Sequence, residues 1–310
     1  MKIFKLNTTS NFKIKNINLA IGNFDGVHIA HQKIIKKLVL ESKKMKVKSA
    51  ILSFSPHPRQ YFNQNYENFN IINEDTKINL FKDLNVDYFI IFKFNIHLAS
   101  LTPEKFIENI LYKMLKIRHL TVGYDFKFGK DRKGNIDLLK LKSQIYNFNI
   151  SIINQIINKK NAEIYSSSLI RKYIVEGNFK KVSNLLSRNW SMTGKVIFGN
   201  QKASKMNFPT ANIVPGNHIK PKKGVYAIRV RLKNKYHKGI ANFGERPTIG
   251  GKKLLLEVHI FDFSENIYGK ELTVEFLTFI RDEKKFDNFS LLVKQIKKDI
   301  QLVKKYHLKD

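Results

Sequence analysis

Cysteine is absent from all 310 residues, which excludes disulfides, thiolate metal sites and a cysteine nucleophile and accords with a reducing cytosol. Long apolar runs are missing as well. None approaches the roughly 18 to 20 residues a membrane helix needs, because Lys, Asn or Asp interrupts each of them. Residues 1–10 lack the sustained apolar segment of a secretory signal, so the expectation is a soluble, cytoplasmic chain. Acid is scarce: 25 Asp and Glu face 56 Lys and Arg, a formal net charge of +31. Such an excess ordinarily points to nucleic acid or an anionic membrane. Arginine, however, is also scarce. Only nine of the basic residues are Arg, the side chain suited to bidentate contact with bases and phosphates. Lys is spread along the whole chain and is abundant together with Asn, Ile and Phe, the set encoded by AT-rich codons. We therefore expect a solvated basic surface and anionic small-molecule substrates, with no nucleic-acid partner and no membrane partner.

What is present divides the chain in two. At 43% hydrophobic it can bury two cores of ordinary size. Residues 1–187 alternate apolar runs, at 19–24, 47–54, 87–94, 119–122 and 149–153, with helical patterns. That alternation predicts an α/β domain with a Rossmann-like, doubly wound parallel sheet. Thr102, Pro103 and Glu104 predict a capped helix through Leu115. Further helices are expected from Ser166 to about Gly177 and from Phe179 to Leu186, and the Asn-rich patch at 63–79 reads as a surface loop. Residues 188–310 show short β-type runs at 192–198, 224–232, 236–243, 253–261 and 272–279, broken by Gly, Pro and Asn. Their spacing predicts a small antiparallel β-barrel, followed by a helix from Ser290 to about Lys304.

Gly22, Asn23, Phe24, Asp25 and Gly26, followed by His28 and His31, hold the densest chemistry. They join an apolar strand to a helix whose free N–H groups and positive dipole end favour an anion. Histidines there can stabilise charge that develops on an α-phosphate, so adenylyl transfer fits. Two more polar clusters follow strand ends, where open α/β sheets bind ligands: Pro56-His57-Pro58, and Gly123, Asp125, Phe126, Phe128, Gly129. Ser167 and Ser168 at a helix start, with Arg171 one turn on, suit β- and γ-phosphates. In the second half, Thr210 and Asn212 offer hard oxygen ligands for Mg²⁺ between a nucleotide's phosphates. They follow the stretch from Gly199 to Asn207 that contains Lys202 and Lys205. Glu257, flanked by apolar residues on a strand, is a candidate general base for a hydroxyl nucleophile.

In series these motifs resemble the bacterial bifunctional riboflavin kinase and FMN adenylyltransferase family over nearly the full chain. The resemblance rests on GNFDGVHIAH at 22–31, FSPHP at 54–58, VGYDFKFG at 122–129, SSSLIR at 166–171, FPTAN at 208–212, NFGERPT at 242–248 and EVHIFDF at 257–263. It implies two active sites. In the first, His28 and His31 act on the α-phosphate of ATP, Ser167, Ser168 and Arg171 grip the leaving phosphates, and His57, Asp125 and Phe126 border the flavin. In the second, Thr210 and Asn212 hold Mg²⁺-ATP, Gly199 and Lys202 belong to the phosphate flap, Glu257 deprotonates the riboflavin 5′-hydroxyl, and Arg281 lies near the flavin. The implied substrates are riboflavin, FMN and ATP. Mg²⁺ accompanies the nucleotide, no tightly bound organic cofactor is required, and the expected state is a monomer or weak homo-oligomer. Ala30 stands where the family usually has Gly, Ala203 and Ser204 where a Gly-Arg pair is common, and Asn207 replaces the Gly before Phe-Pro-Thr. The HIAH sequence also resembles the paired-histidine motif of aminoacyl-tRNA synthetases, but that reading leaves Thr210, Asn212 and Glu257 unexplained.

Overall fold

The computed structural model describes residues 1–63, 68–157, 162–198, 208–233, 235–248 and 251–309. They form two compact units, one of residues 1–67 and 74–166, the other of residues 68–73 and 167–310.

The first unit is a six-stranded, all-parallel sheet. Its strands are β1 (Lys2–Leu6), β2 (Ile17–Ile21), β3 (Lys48–Ser55), β4 (Tyr88–Lys93), β5 (Ile117–Gly123) and β6 (Asn149–Ile153), in the order β1-β4-β3-β2-β5-β6. All five residues of β2 are buried, as expected for a central strand covered on both faces. Its helices are α1 (Ile29–Lys44), α2 (Pro58–Phe62), α3 (Glu74–Asp83), α4 (Ile96–Ala99), α5 (Pro103–Lys105) and α6 (Ile136–Tyr146). The expected cap at Thr102 is present: its side chain accepts from Lys105 N at 3.3 Å, with Pro103 in the first turn. From Phe106 to Met114 the same rod widens to a π-helix, burying Phe106, Ile107, Ile110 and Leu111. From β2 the chain steps outward through β3 and β4, then returns to β5 on the other side of β2. The carboxyl ends of β2 and β5 therefore flank the topological switch point, where such sheets bind ligands.

β1 was not expected from the sequence. Lys2 and Lys5 break its apolar pattern, which an edge strand paired only to β4 tolerates. The surface-loop expectation for the Asn-rich stretch is also corrected over residues 68–79, residues 64–67 lying outside the described residues. Phe69, Ile71 and Ile72 are buried, the carbonyl of Ile71 accepts a 2.7 Å hydrogen bond from Trp190 Nε1, and α3 occupies residues 74–83. Three apolar side chains between the asparagines supply the burial that a composition average conceals.

The second unit starts with α7 (Ser167–Val175) and α8 (Phe179–Leu186) and continues as a closed barrel. Its strands are β7 (Trp190–Ile197), β8 (Ala211–Ile213), β9 (Gly224–Leu232), β10 (Lys235–Thr248), β11 (Gly251–Ile260) and β12 (Glu271–Arg281), ordered β10-β11-β8-β7-β12-β9 with antiparallel pairs throughout. The three-residue β8 is too short to show a period in the sequence, yet it closes the barrel between β11 and β7. Trp190, Tyr226 and Phe276 are fully buried and pack with Phe179, the Trp190 and Phe276 rings lying 5.0 Å apart. On another face, Val225, Ala227, Ile240 and Phe261 pack with Val303 of α9 (Phe289–Lys309).

Candidate active sites

In the first unit, β2 ends at Ile21 and the chain turns through a strained loop into α1. Phe24, Gly26 and Val27 have φ of +47°, +87° and +42°, a left-handed region that non-glycine residues seldom adopt. The loop is held from several sides. The carbonyl of Asn23 accepts from Lys77 Nζ at 2.9 Å and from Ser53 Oγ at 3.3 Å. The carbonyl of Val27 accepts from Gln32 Nε2 at 3.0 Å. His28 is the N-cap of α1, its Nδ1 accepting from His31 N at 3.4 Å. In the neutral ring an accepting Nδ1 puts the proton on Nε2. The two imidazoles stack at 3.6 Å with 21° between planes, and Phe24 meets His31 edge-on at 5.1 Å. His28 and Asp25 are buried, and the side-chain oxygen of Asn23 is buried without a hydrogen-bond partner. Gly22 lies against Phe24, whose ring a Cβ there would meet at 3.2 Å.

The two other clusters end the strands on either side of β2. His57, after β3, caps α2 by accepting from Arg59 N at 3.1 Å. Beyond β5, Phe126 N donates to the Gly123 carbonyl at 3.1 Å, which leaves Asp125 exposed in the turn while Phe126 stacks on Phe128 at 5.5 Å. The structure adds an aromatic wall that no sequence motif announced. Phe54, Tyr61 and Phe62 gather round Phe94 at 5.9, 5.2 and 5.7 Å. Lys77 was missed as well, because it is one of many lysines and its partner Asn23 lies 54 positions away. Burial lowers the Lys77 pKa, against the opposing pull of Asp25 and Glu74.

Ser167, Ser168 and Arg171 open α7 in the second unit. There the Arg171 guanidinium lies 3.6 Å over the Phe69 ring and its Nε donates to the Phe69 carbonyl at 2.9 Å.

The barrel supplies the second site. Direct cross-strand pairing places Ile197, Asn212, Glu257, Asn242, Val225 and Arg281 abreast on six successive strands. Opposed residues project to the same face, so scattered polar positions form one row beside a cavity of about 440 Å³ lined by Thr210, Glu257, Asn242, Arg246, Arg281 and Asp299. Arg246 joins two carboxylates, NH2 donating to Glu257 Oε2 at 2.7 Å and NH1 to Glu283 Oε1 at 3.0 Å. Burial disfavours its charge, but the hydrogen bonds and charges of Glu257 and Glu283 outweigh that and raise its pKa. A Cβ on Gly244 would overlap the Glu283 carboxylate. Arg281 is clamped by buried Asp299 through three contacts of 3.0, 3.0 and 2.7 Å, and Gln295 donates to the same carboxylate at 2.7 Å. Asn212 is buried. Thr210 also borders a second cavity of about 150 Å³ near Tyr268, and the carbonyl of its neighbour Pro209 accepts a 2.9 Å hydrogen bond from His259 Nδ1. Gly199 and Lys202, with Ala203, Ser204 and Asn207, lie outside the described residues. Among the described residues no cluster of three or more His, Asp or Glu could hold a metal. The hydroxyl and amide oxygens of Thr210 and Asn212 fit a hard cation that arrives with a nucleotide.

A parallel α/β unit with paired histidines at its switch point, and a barrel with a carboxylate-guanidinium pocket, define a two-unit enzyme of phosphate-group transfer. Comparison with known proteins makes this specific. The FAD synthetase family model matches residues 11–168 and the riboflavin kinase family model residues 186–307. The chain is 38% identical to a bifunctional riboflavin kinase/FMN adenylyltransferase of Haemophilus influenzae, covering 96% of each chain. It is 38% identical to one from Buchnera aphidicola subsp. Schizaphis graminum, covering 94% of this chain and 96% of the relative. It is 33% identical to the Escherichia coli K12 protein, with 91% and 90% covered. A solved structure described as a macrolide-efflux protein from Streptococcus pneumoniae is similar over 97% of this chain and 98% of that one, at 27% identity and a TM-score of 0.86. Among the described residues no helix is long and apolar enough to cross a membrane. The chain belongs to the bifunctional riboflavin kinase/FMN adenylyltransferase family, as an enzyme with both activities that uses ATP and a divalent metal.

Proposed function

We propose that adenylyl transfer belongs to residues 1–187 and phosphoryl transfer to residues 188–310, and that each proceeds by the following steps. In the first, the FMN phosphate oxygen attacks the α-phosphorus of ATP, forming the new P–O bond of FAD as the bond to pyrophosphate breaks. His28, through its Nε2–H, and His31 donate to the α-phosphate oxygens as charge builds there, and Gly22, Asn23, Phe24 and Asp25 shape the nucleotide's seat. His57, Asp125 and Phe126, with the aromatic wall, border the flavin, whose flat ring system suits aromatic contact. Ser167, Ser168 and Arg171 keep the phosphate-binding role that their motif assigns them. In the second unit the riboflavin 5′-hydroxyl attacks the γ-phosphorus, ADP leaves, and the hydroxyl proton passes to Glu257. Arg246 holds Glu257 Oε2 and so orients the carboxylate. Arg281, clamped by Asp299, faces the flavin. Thr210 and Asn212 hold ATP with Mg²⁺, which when bound neutralises charge on the transferred phosphates. Gly199 and Lys202 complete the phosphate seat on the strength of their motif.

Residues 1–187 form the adenylyltransferase domain and 188–310 the kinase domain in this reading. It places a monomer or weak homo-oligomer in the cytoplasm, with riboflavin, FMN and ATP as partners and neither nucleic acid nor membrane among them. The observation that carries it is that each unit presents its own reactive constellation on its own framework: stacked imidazoles at a helix N-terminus, and Glu257 beside the larger cavity. Chromatography of products from riboflavin, ATP and Mg²⁺, then from FMN, ATP and Mg²⁺, tests it. FMN and FAD are expected in the first mixture and FAD in the second. Persistence of FAD formation in a His28→Ala, His31→Ala double variant would overturn the assignment of the first site.

A further inference from the structure

The loop that presents the two histidines cannot hold its own shape. Phe24 and the β-branched Val27 both sit at positive φ, a conformation that lasts only where surrounding contacts over-determine it. Two internal bonds help: Val27 N donates to the Phe24 carbonyl at 3.1 Å, and the Val27 carbonyl accepts from Gln32. At the other end the loop is anchored through the Asn23 carbonyl, which takes Ser53 Oγ from β3 and Lys77 Nζ from α3. The lysine is the charged member of this set of anchors. It also meets an electrostatic need. Asp25 lies within the loop at 4% exposure, a carboxylate placed where a polyphosphate is to bind, and like charges in a poorly solvated site repel strongly. The groups acting on the ammonium are Asp25 from the loop and Glu74 from its own helix, with the Ser53 hydroxyl sharing its acceptor.

We propose that Lys77 is a positioning residue for adenylyl transfer: it pins the Asn23 carbonyl so that the strained loop presents His28 and His31, and its charge offsets Asp25 so that the loop accepts the triphosphate. This rests on the reading of the first unit as the adenylyl-transfer site. Its nearest alternative is a lysine that merely closes the packing of α3 onto the sheet. The two differ in what they predict for ATP. A charge-offsetting role is expressed in KM for ATP and is relieved when Asp25 loses its charge, whereas a packing role is indifferent to Asp25.

The test is steady-state kinetics of FAD formation from FMN on the full chain, with riboflavin phosphorylation measured on the same preparations as the control for folding. Lys77→Gln is expected to raise KM for ATP and lower kcat/KM by about tenfold or more, as for loss of a hydrogen bond to a charged group, with riboflavin phosphorylation within twofold of the parent. Lys77→Arg is expected to keep most of the activity, and adding Asp25→Asn to Lys77→Gln to recover a large part of the lost ATP affinity. Unchanged kinetics in Lys77→Gln would overturn the proposal. So would no recovery in the double variant, or a parallel fall of both activities in Lys77→Gln and Lys77→Arg. A parent chain that makes FMN but no FAD would overturn the underlying reading of the first site, and the proposal with it.

Discussion

Arg246 serves two masters. Its guanidinium holds Glu257 and Glu283 at once, and its removal leaves two carboxylates facing each other across a pocket with no shared cation. Arg246→Ala should lower FMN formation by about tenfold to a hundredfold, from the loss of charge-assisted hydrogen bonds. Glu257→Gln keeps the shape and removes the carboxylate proposed as the base, and should cost about a hundredfold or more. Both variants should still adenylylate supplied FMN at the parent rate, which assays of the two half-reactions side by side would show. Glu257 was legible because a carboxylate among apolar strand residues is conspicuous. Arg246, Glu283 and Asp299 stood inside the motifs or near them, but their roles come from contacts 37 and 18 positions apart, a separation at which no local pattern operates. Lys77 is the extreme case, indistinguishable in the sequence from its many neighbours of the same type.

Elements were most readable where one period ran without interruption. The buried run of β2, the capped helix at Thr102 and α8 were all expected with their main residues. Edge strand β1 and the three-residue β8 were not, since the first mixes Lys into its pattern and the second is shorter than a period. Beyond the sites, one contact between elements has a measurable consequence. His119 of β5 lies 3.0 Å from Ser151 of β6 and 3.5 Å from Glu41 of α1, largely out of solvent. Burial lowers its pKa despite the opposing effect of Glu41, so the native chain binds this proton less readily than the unfolded one. The associated stability is fully present above the unfolded histidine value of about 6.5 and is lost as pH falls below it. Melting temperatures taken from pH 7.5 to 5 should decline through that window. His119→Gln should flatten the decline; an unchanged slope would remove His119 as its source.

At the scale of the molecule, the charge of +31 invites a polyanion partner, and the sparse arginine argues against one. Any retention on DNA or RNA should be indifferent to sequence and should vanish between about 50 and 200 mM salt, as a fluorescence-anisotropy titration at two salt concentrations would reveal. Tight, sequence-dependent binding at the higher salt would contradict the substrate-only reading of the surface. The chain's path is less simple than its two textures suggest. Residues 68–73 contribute to the compact unit that contains the barrel, returning at residue 74 to the sheet-bearing unit before the chain reaches α7. Composition hid this excursion, because asparagines alternate with the three apolar residues that make the contacts.

The sequence by itself determined the chemistry at hand: which residues can donate, accept or take a proton, where the helical and strand periods run, and hence an α/β sheet followed by a barrel. These are local properties, written within a few turns or pleats of the chain. Only the tertiary structure decided that β2 and β5 meet at the switch point, that Glu257, Asn212 and Asn242 stand abreast, that one arginine serves two glutamates, and that Lys77 lies beneath the histidine loop. Those outcomes follow from strand order and register, which are set by burying the whole sheet or barrel at once and leave no trace in any single stretch of sequence.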